Sequence, residues 1–350
     1  MRSKALTAIA LLAGLLLFVP AGLTQAPVTL PADEAAHPRE RSERWEVAGH
    51  LRTSTDRTFA LLAAFRRGDH PSLGKGSLLT LAIVDLDSGL LFVDVNLISN
   101  PSAEMAPKPL SLSWEGSYLH RLPEDGGLRL LGRGVDDGSR TPIGADLVMT
   151  AVKPASFMGS GGMKPLGSSD NNAFQHATSR MEAKGTLVLQ EVTYPVEGVV
   201  WFTHLWGPFD GTGKAFDAAT IWTAHLADGR DLRIEAFSGV KRGRALPATA
   251  TWVSEDGTVR EEPLTKEPKV TKRWRSLRGV LYPVEWKIPL AGGKLTCRAR
   301  IPNGEVLYEV KVFWTRWTSL SWIGSCALEG RIDGEPVEGE AVVEATGFEP

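Results

Sequence analysis

The residues of this chain best suited to chemistry converge on one short run, Trp201-Phe202-Thr203-His204-Leu205-Trp206-Gly207. An imidazole changes charge near neutrality and both donates and accepts hydrogen bonds, so His204 could fix the polar end of a ligand or move a proton. Side chains alternate along a strand. Val200, Phe202, His204 and Trp206 therefore share one face, with Val199, Trp201, Thr203 and Leu205 on the other. A histidine so placed reads either as a polar group in the wall of an apolar cavity or as a core histidine with one satisfied hydrogen bond. His50 and His176 are further candidates for polar contacts or proton transfer, and Arg180 for a polar end or an interdomain ion pair. Nucleophilic hydrolysis is the weakest option, because no Gly-x-Ser-x-Gly elbow is present. No histidine or cysteine pair has zinc-ligand spacing, so neither metal nor cofactor is expected. Cys297 and Cys326 form one disulfide or stay as two buried thiols. Pairing would close a loop of about 30 residues, worth roughly 3 kcal/mol.

Those residues need strands to hold them. Residues 185–207 read as a β-hairpin turning at 195–198, with its second arm carrying His204. Strand-length apolar segments precede it at 44–52, 58–67, 78–85, 90–98, 110–114, 128–131 and 145–152. More follow at 221–227, 232–237, 248–253, 282–288, 294–299, 306–314, 322–331 and 341–346. Asp-Gly pairs such as Asp228-Gly229, Asp256-Gly257 and Asp333-Gly334 supply the positive φ of tight hairpins. Amphipathic helices are missing after the N-terminal apolar stretch, so the pattern predicts an all-β, antiparallel protein. Between Lys153 and His176 the period is lost, which marks a long loop of the kind that often serves as a lid.

The 350 residues suffice for two domains, and a formal net charge of −2 leaves no electrostatic footprint for nucleic acid. Residues 1–26 read as a secretory signal: Arg2 and Lys4, an apolar run, then small residues before a cut after Ala26. A periplasmic or secreted protein follows, without stable membrane insertion once the signal is gone. Residues 27–43 form a polar, proline-containing leader with no core of its own. Most of the 11 tryptophans lie beyond residue 200, which suits a sandwich core or a rigid-walled apolar cavity.

Trp45, Gly49-His50-Leu51 and Phe65-Arg66 resemble the opening of the family of carotenoid 1,2-hydratases and their AttH-like relatives. The glycine loop 157–162, Arg180-Met181, the run 201–207, Trp274, Ser276, Tyr282-Pro283, Trp286 and Thr346-Gly347-Phe348 continue the match in order. The resemblance implies two lipocalin-like antiparallel β-barrel domains, at 44–207 and 208–350, meeting near Trp206. It further implies an apolar cavity lined by Trp201, Trp206 and Trp222, with His50, His176, Arg180 and His204 at the ligand's polar groups. The family's carboxylates are absent: Thr203 and Leu205 flank His204, Thr220 replaces an aspartate and Ile323 a glutamate. Protonating an isolated C=C bond needs a strong acid, so these losses favour a carrier over a hydratase. The expected function is therefore binding of a lipid, terpenoid or carotenoid, with an ABC transporter as a partner. The alternative is a hydratase or a polyene cyclase/isomerase in which His204 is catalytic.

Overall fold

The computed structural model describes residues 28–70, 74–98, 110–123, 126–209, 215–241, 243–312 and 315–348. The signal-sequence reading of residues 1–26 lies outside them. The N-terminal half contributes β1 (Ser42–Arg52), β2 (Thr58–His70), β3 (Gly74–Asp85), β4 (Leu90–Ile98), β5 (Ser111–Trp114) and β6 (Ser117–Arg121). It continues with β7 (Leu128–Val135), β8 (Pro142–Ala151), β9 (Ser156–Phe157), β10 (Met163–Pro165), β11 (Asn172–Leu189) and β12 (Val192–Gly207). These form one antiparallel sheet in the order β4-β3-β2-β1-β12-β11-β8-β7-β6-β5, with β9 and β10 added to β11. The sheet curls back on itself: Val93 donates its N–H to Asp136 Oδ1 at 2.7 Å, and its carbonyl accepts from Asp137 N–H at 2.8 Å.

The second half supplies β13 (Ala218–Leu226), β14 (Asp231–Ser238), β15 (Thr249–Val253), β16 (Val259–Pro263) and β17 (Lys269–Arg275). β18 (Leu281–Leu290), β19 (Gly293–Ala299), β20 (Glu305–Val312), β21 (Thr315–Ile332) and β22 (Glu335–Phe348) complete it. Their order is β16-β15-β14-β13-β22-β21-β19-β18-β17, with β20 on β21. The all-β, two-sheet reading holds. Each sheet wraps its own core, the first around Trp45, Phe59, Phe65 and Phe202, the second around Trp222, Trp286 and Trp322. In the second core the three indoles pack edge-on, with centroids 5.6 Å and 6.0 Å apart. Much of the tryptophan excess is therefore spent on packing.

The central hairpin differs from the sequence reading. Its turn is Gln190-Glu191, both at positive φ (50° and 69°), and residues 195–198 lie inside β12. Gly198 is there because the chains approach closely: a Cβ on it would stand 2.1 Å from the His50 carbonyl oxygen. The polar strands β6, β16 and β17 escaped the sequence reading. The last two are sheet edges, where charged residues protect unpaired backbone and erase the apolar period. Cys297 and Cys326 are free and buried on the adjacent strands β19 and β21, opposite Leu328 and Ala299. The irregular stretch from Lys153 is a clasp rather than a lid. Lys153 reaches Asp231 at 2.8 Å, Lys164 bonds Glu235, and Leu246 N–H donates to Gly167 O at 3.0 Å, all across to the second sheet. None of the helices among the described residues is long and apolar enough to cross a membrane.

Candidate functional site

Alternation along β12 does what the sequence requires and sends His204 and Trp201 to opposite sides. His204 points into the end of the N-terminal barrel, where residues 28–41 lie across it as a strap. The strap is docked, not free: Val28 packs with Phe174 and Trp206, Glu34 pairs with Arg121, and Trp45 Nε1 donates to Glu34 O at 3.2 Å. His37 from the strap stacks on Trp206 at 4.3 Å with 2° between planes, and Trp45 stacks on His204 at 4.7 Å.

At the centre is Glu43, the second residue of β1. Its Oε1 lies 3.0 Å from His204 Nε2 and 3.0 Å from His37 Nδ1, and it accepts the His37 backbone N–H at 2.8 Å. Its Oε2 accepts from Arg67 at 2.6 Å. The far ring nitrogens also meet oxygens. His204 Nδ1 is 3.0 Å from Asp33 O, and His37 Nε2 is 3.3 Å from Asp33 Oδ1. Burial alone would raise the Glu43 carboxyl, but the bonds to His204, His37 and Arg67 hold it at about 2. Burial lowers His204, whereas His37 is raised because Glu43 and Asp33 outweigh its own desolvation. His176 stands edge-on to His204 at 5.4 Å, buried, with no partner in hydrogen-bond geometry at either ring nitrogen among the described residues. Burial pushes it well below the usual histidine range.

The other expected residues are elsewhere. The barrels do not meet at Trp206, which lies under the strap; they meet through β1–β4 against β13 and β20–β22, where Ala48, Ala60, Leu62 and Val84 pack with Val306, Tyr308, Ile323 and Val342, and the odd-numbered face of β12 lies alongside. There Trp201 Nε1 donates to Ala224 O across the interface at 3.3 Å. Beside it runs a buried file of charges. Arg44 contacts Glu46 and bonds Glu344 at 2.6 Å, Arg66 bonds Glu344, and Arg233 bonds Glu46 at 3.3 Å and Glu235 at 3.0 Å. Thr203 is buried in this layer with its hydroxyl unpartnered. An apolar cavity lined jointly by Trp201, Trp206 and Trp222 does not form, because strand alternation and the two separate cores place the three indoles apart.

His50 and Arg180 do share a cleft of about 960 Å³ between the barrels, together with His225, Arg300 and Glu340. Arg180 is ion-paired there with Asp231 at 2.6 Å. His50 Nε2 is 2.8 Å from Ser325 Oγ, and its Nδ1 is 3.5 Å from Glu340 Oε1, a serine–histidine–glutamate order that the sequence reading missed. Ser325 is fully buried, so it holds the ring instead of meeting substrate. Burial, then the charges of Arg300 and Arg52, lower His50 to about 3.

Trp222 belongs to a third place. A pocket of about 340 Å³ opens at one end of the C-terminal barrel, lined by Trp222, Trp286, Phe237, Val270, Thr220 and Glu267 among others. Trp222 Nε1 is buried without a hydrogen-bond partner among the described residues. Thr220, where the resemblance expects an aspartate, is part of this wall. Asp217, a neighbouring carboxylate, is paired with Lys241 at 2.6 Å on the surface.

This architecture defines a two-domain, lipocalin-like all-β protein. The AttH-like family model matches residues 22–348, and the chain belongs to that family. An AttH protein from Nitrosomonas europaea shares the fold at TM-score 0.78 and 20% identity, over 94% of this chain and 99% of that one. Kievitone hydratase from Nectria haematococca follows at TM-score 0.72 and 17% identity, over 91% and 93%. CghA, in a crystal structure with Sch210972, aligns at TM-score 0.54 and 12% identity over 88% of each chain. Curated protein sequences gave no match.

Proposed function

We propose that this protein is a binding module for a hydrophobic small molecule bearing one hydrogen-bond acceptor, held at the end of the C-terminal barrel. The observation that carries the reading is the unpartnered Trp222 indole N–H in the wall of an otherwise largely apolar pocket. A buried donor without an acceptor is costly, and a ligand carbonyl or hydroxyl oxygen would satisfy it. At about 340 Å³ the pocket is at the small end of ligand sites, which suits a terpenoid-sized molecule or the end group of a longer chain. The rival locations are less suited: the strap fills the N-terminal barrel's end, and the interface is closed by packed apolar side chains and ion pairs. We place this activity outside the cytoplasm, on the apolar stretch that opens the chain.

A second reading, hydration of a bound double bond, has one observation in its favour: Glu267 is a carboxylate among the lining residues. Native mass spectrometry of protein from its own host, with extraction of the bound molecule, tests the first. Quenching of tryptophan fluorescence by oxygenated terpenoids should be saturable. Trp222→Phe should weaken it by about 0.5–1.5 kcal/mol, the worth of one hydrogen bond. Absence of any bound molecule together with absence of saturable quenching would overturn the proposal. Turnover of an alkene, abolished by Glu267→Gln, would promote the hydratase.

A further inference from the structure

We propose that His37, Glu43 and His204 form a binding site for a divalent transition metal of the zinc class, pinning the N-terminal strap to the barrel. Each residue offers one ligand atom, and the three atoms lie within 4.8 Å of one another. Glu43 Oε1 stands 3.0 Å from His204 Nε2 and 3.0 Å from His37 Nδ1, close to the spacing of donors around one ion. Donors at 2.0–2.1 Å from a tetrahedral zinc stand about 3.3–3.4 Å apart, so an ion would open each contact by a few tenths of an ångström.

The hydrogen-bond inventory points the same way. A neutral imidazole carries one N–H and one lone pair. His204 has oxygen on both sides, Asp33 O at Nδ1 and Glu43 Oε1 at Nε2, and so does His37, with Asp33 Oδ1 at Nε2 and Glu43 Oε1 at Nδ1. A charged His37 can donate to both carboxylates, but a neutral His204 that gives its Nδ1 N–H to the Asp33 carbonyl turns its Nε2 lone pair on Glu43 Oε1 and repels it. A cation among the three atoms turns that repulsion into coordination. Asp33 then plays the outer part, fixing each ring's tautomer with a carboxylate oxygen for His37 and a carbonyl for His204. Arg67 occupies Oε2, and Oε1, which accepts the His37 backbone N–H at 2.8 Å, has a second lone pair for the ion. His176 is not one of the three ligands; its ring stands edge-on to His204 at 5.4 Å, and the fourth position is left to water. The ligands come from the strap, β1 and β12, far apart in sequence, which is why spacing gives no hint of them. The inference is independent of the apolar-pocket reading.

The test uses the full mature chain, stripped with a chelator and titrated with Co(II) and Zn(II). One Co(II) per chain should bind and give the intense visible bands of a low-coordinate nitrogen–oxygen site, displaced by Zn(II). His37→Asn, on the half-buried strap, and His204→Asn should each weaken Zn(II) binding about 100-fold or more, against the 10–100-fold typical of an outer partner. His120→Asn, on β6 outside the cluster, should leave it unchanged. Failure of the folded wild-type chain to bind either ion overturns the proposal, whatever the variants do. So does binding that survives both His37→Asn and His204→Asn.

Discussion

The interface between the barrels makes a quantitative prediction through Glu344. Its carboxylate is buried, 2.6 Å from Arg44, and also bonded to Arg66, whose one other hydrogen bond among the described residues is a 3.4 Å contact to the Tyr308 hydroxyl. Burial alone would raise this carboxyl, but Arg44 and Arg66 outweigh it and hold it at about 2 instead of 4.5. At 1.36 kcal/mol per pKa unit that difference corresponds to about 3 kcal/mol of stability. Glu344→Gln keeps the shape and leaves Arg66 buried without its carboxylate, a change that costs about 3–5 kcal/mol in comparable sites. The sign of the pH dependence follows. A depressed folded-state pKa stabilises fully above 4.5 and loses its contribution as pH falls from there through about 2. Urea unfolding followed by tryptophan fluorescence should show wild type ahead by about 3 kcal/mol at about pH 6, shrinking to about 2 kcal/mol at about pH 3.5. Asp146→Asn, which breaks an exposed pair with Arg129, should change nothing measurable. A Glu344→Gln effect below about 1 kcal/mol, or one that does not shrink on acidification, would refute the reasoning.

Other predictions test the strands, the clasp and the thiols. A Cβ on Gly49 would stand 2.2 Å from the Val199 carbonyl oxygen, so Gly49→Ala should force β1 and β12 apart and cost about 1–3 kcal/mol by chemical denaturation. Asp231→Asn leaves the buried Lys153 amine and Arg180 without their carboxylate and should cost about 3–5 kcal/mol by the same assay. Cys297 and Cys326 are buried, and burial pushes the Cys326 thiol well up, so iodoacetamide should label neither in native protein and both after unfolding. Rapid labelling of the native state would contradict the packing.

Much of the strand plan was legible because alternation is local. Val200, Phe202 and His204 share a face in the sequence and in the barrel, and Gly229, Gly257 and Gly334 turn where the Asp-Gly pairs promised. The edge strand Val259–Pro263, Val-Arg-Glu-Glu-Pro, was not legible, since nothing in an exposed polar strand announces its partner. The sites depended on long-range pairing. His37 sat in a proline-containing leader, and only the docked strap brings it to Glu43 and His204. Arg180 offered a ligand contact or an ion pair, and Asp231, 51 positions away, decides for the pair. The losses of acid at Thr203 and Leu205 were plain, but the replacement of a cavity by the file from Arg66 to Glu235 required both sheets in place.

In each sheet the first strand lies beside the last: β1 pairs with β12, and β13 with β22. A ribosome therefore cannot complete the first barrel until residue 207 has emerged, and must hold β1 without its central neighbour while the intervening strands are made. Closing such a loop late is slow, and the waiting edge needs protection while the chain grows. The same arrangement brings the entry and exit of each barrel together at one spot. A nick at the Gln190-Glu191 hairpin leaves the β1–β12 pairing in place, so the two fragments should stay associated.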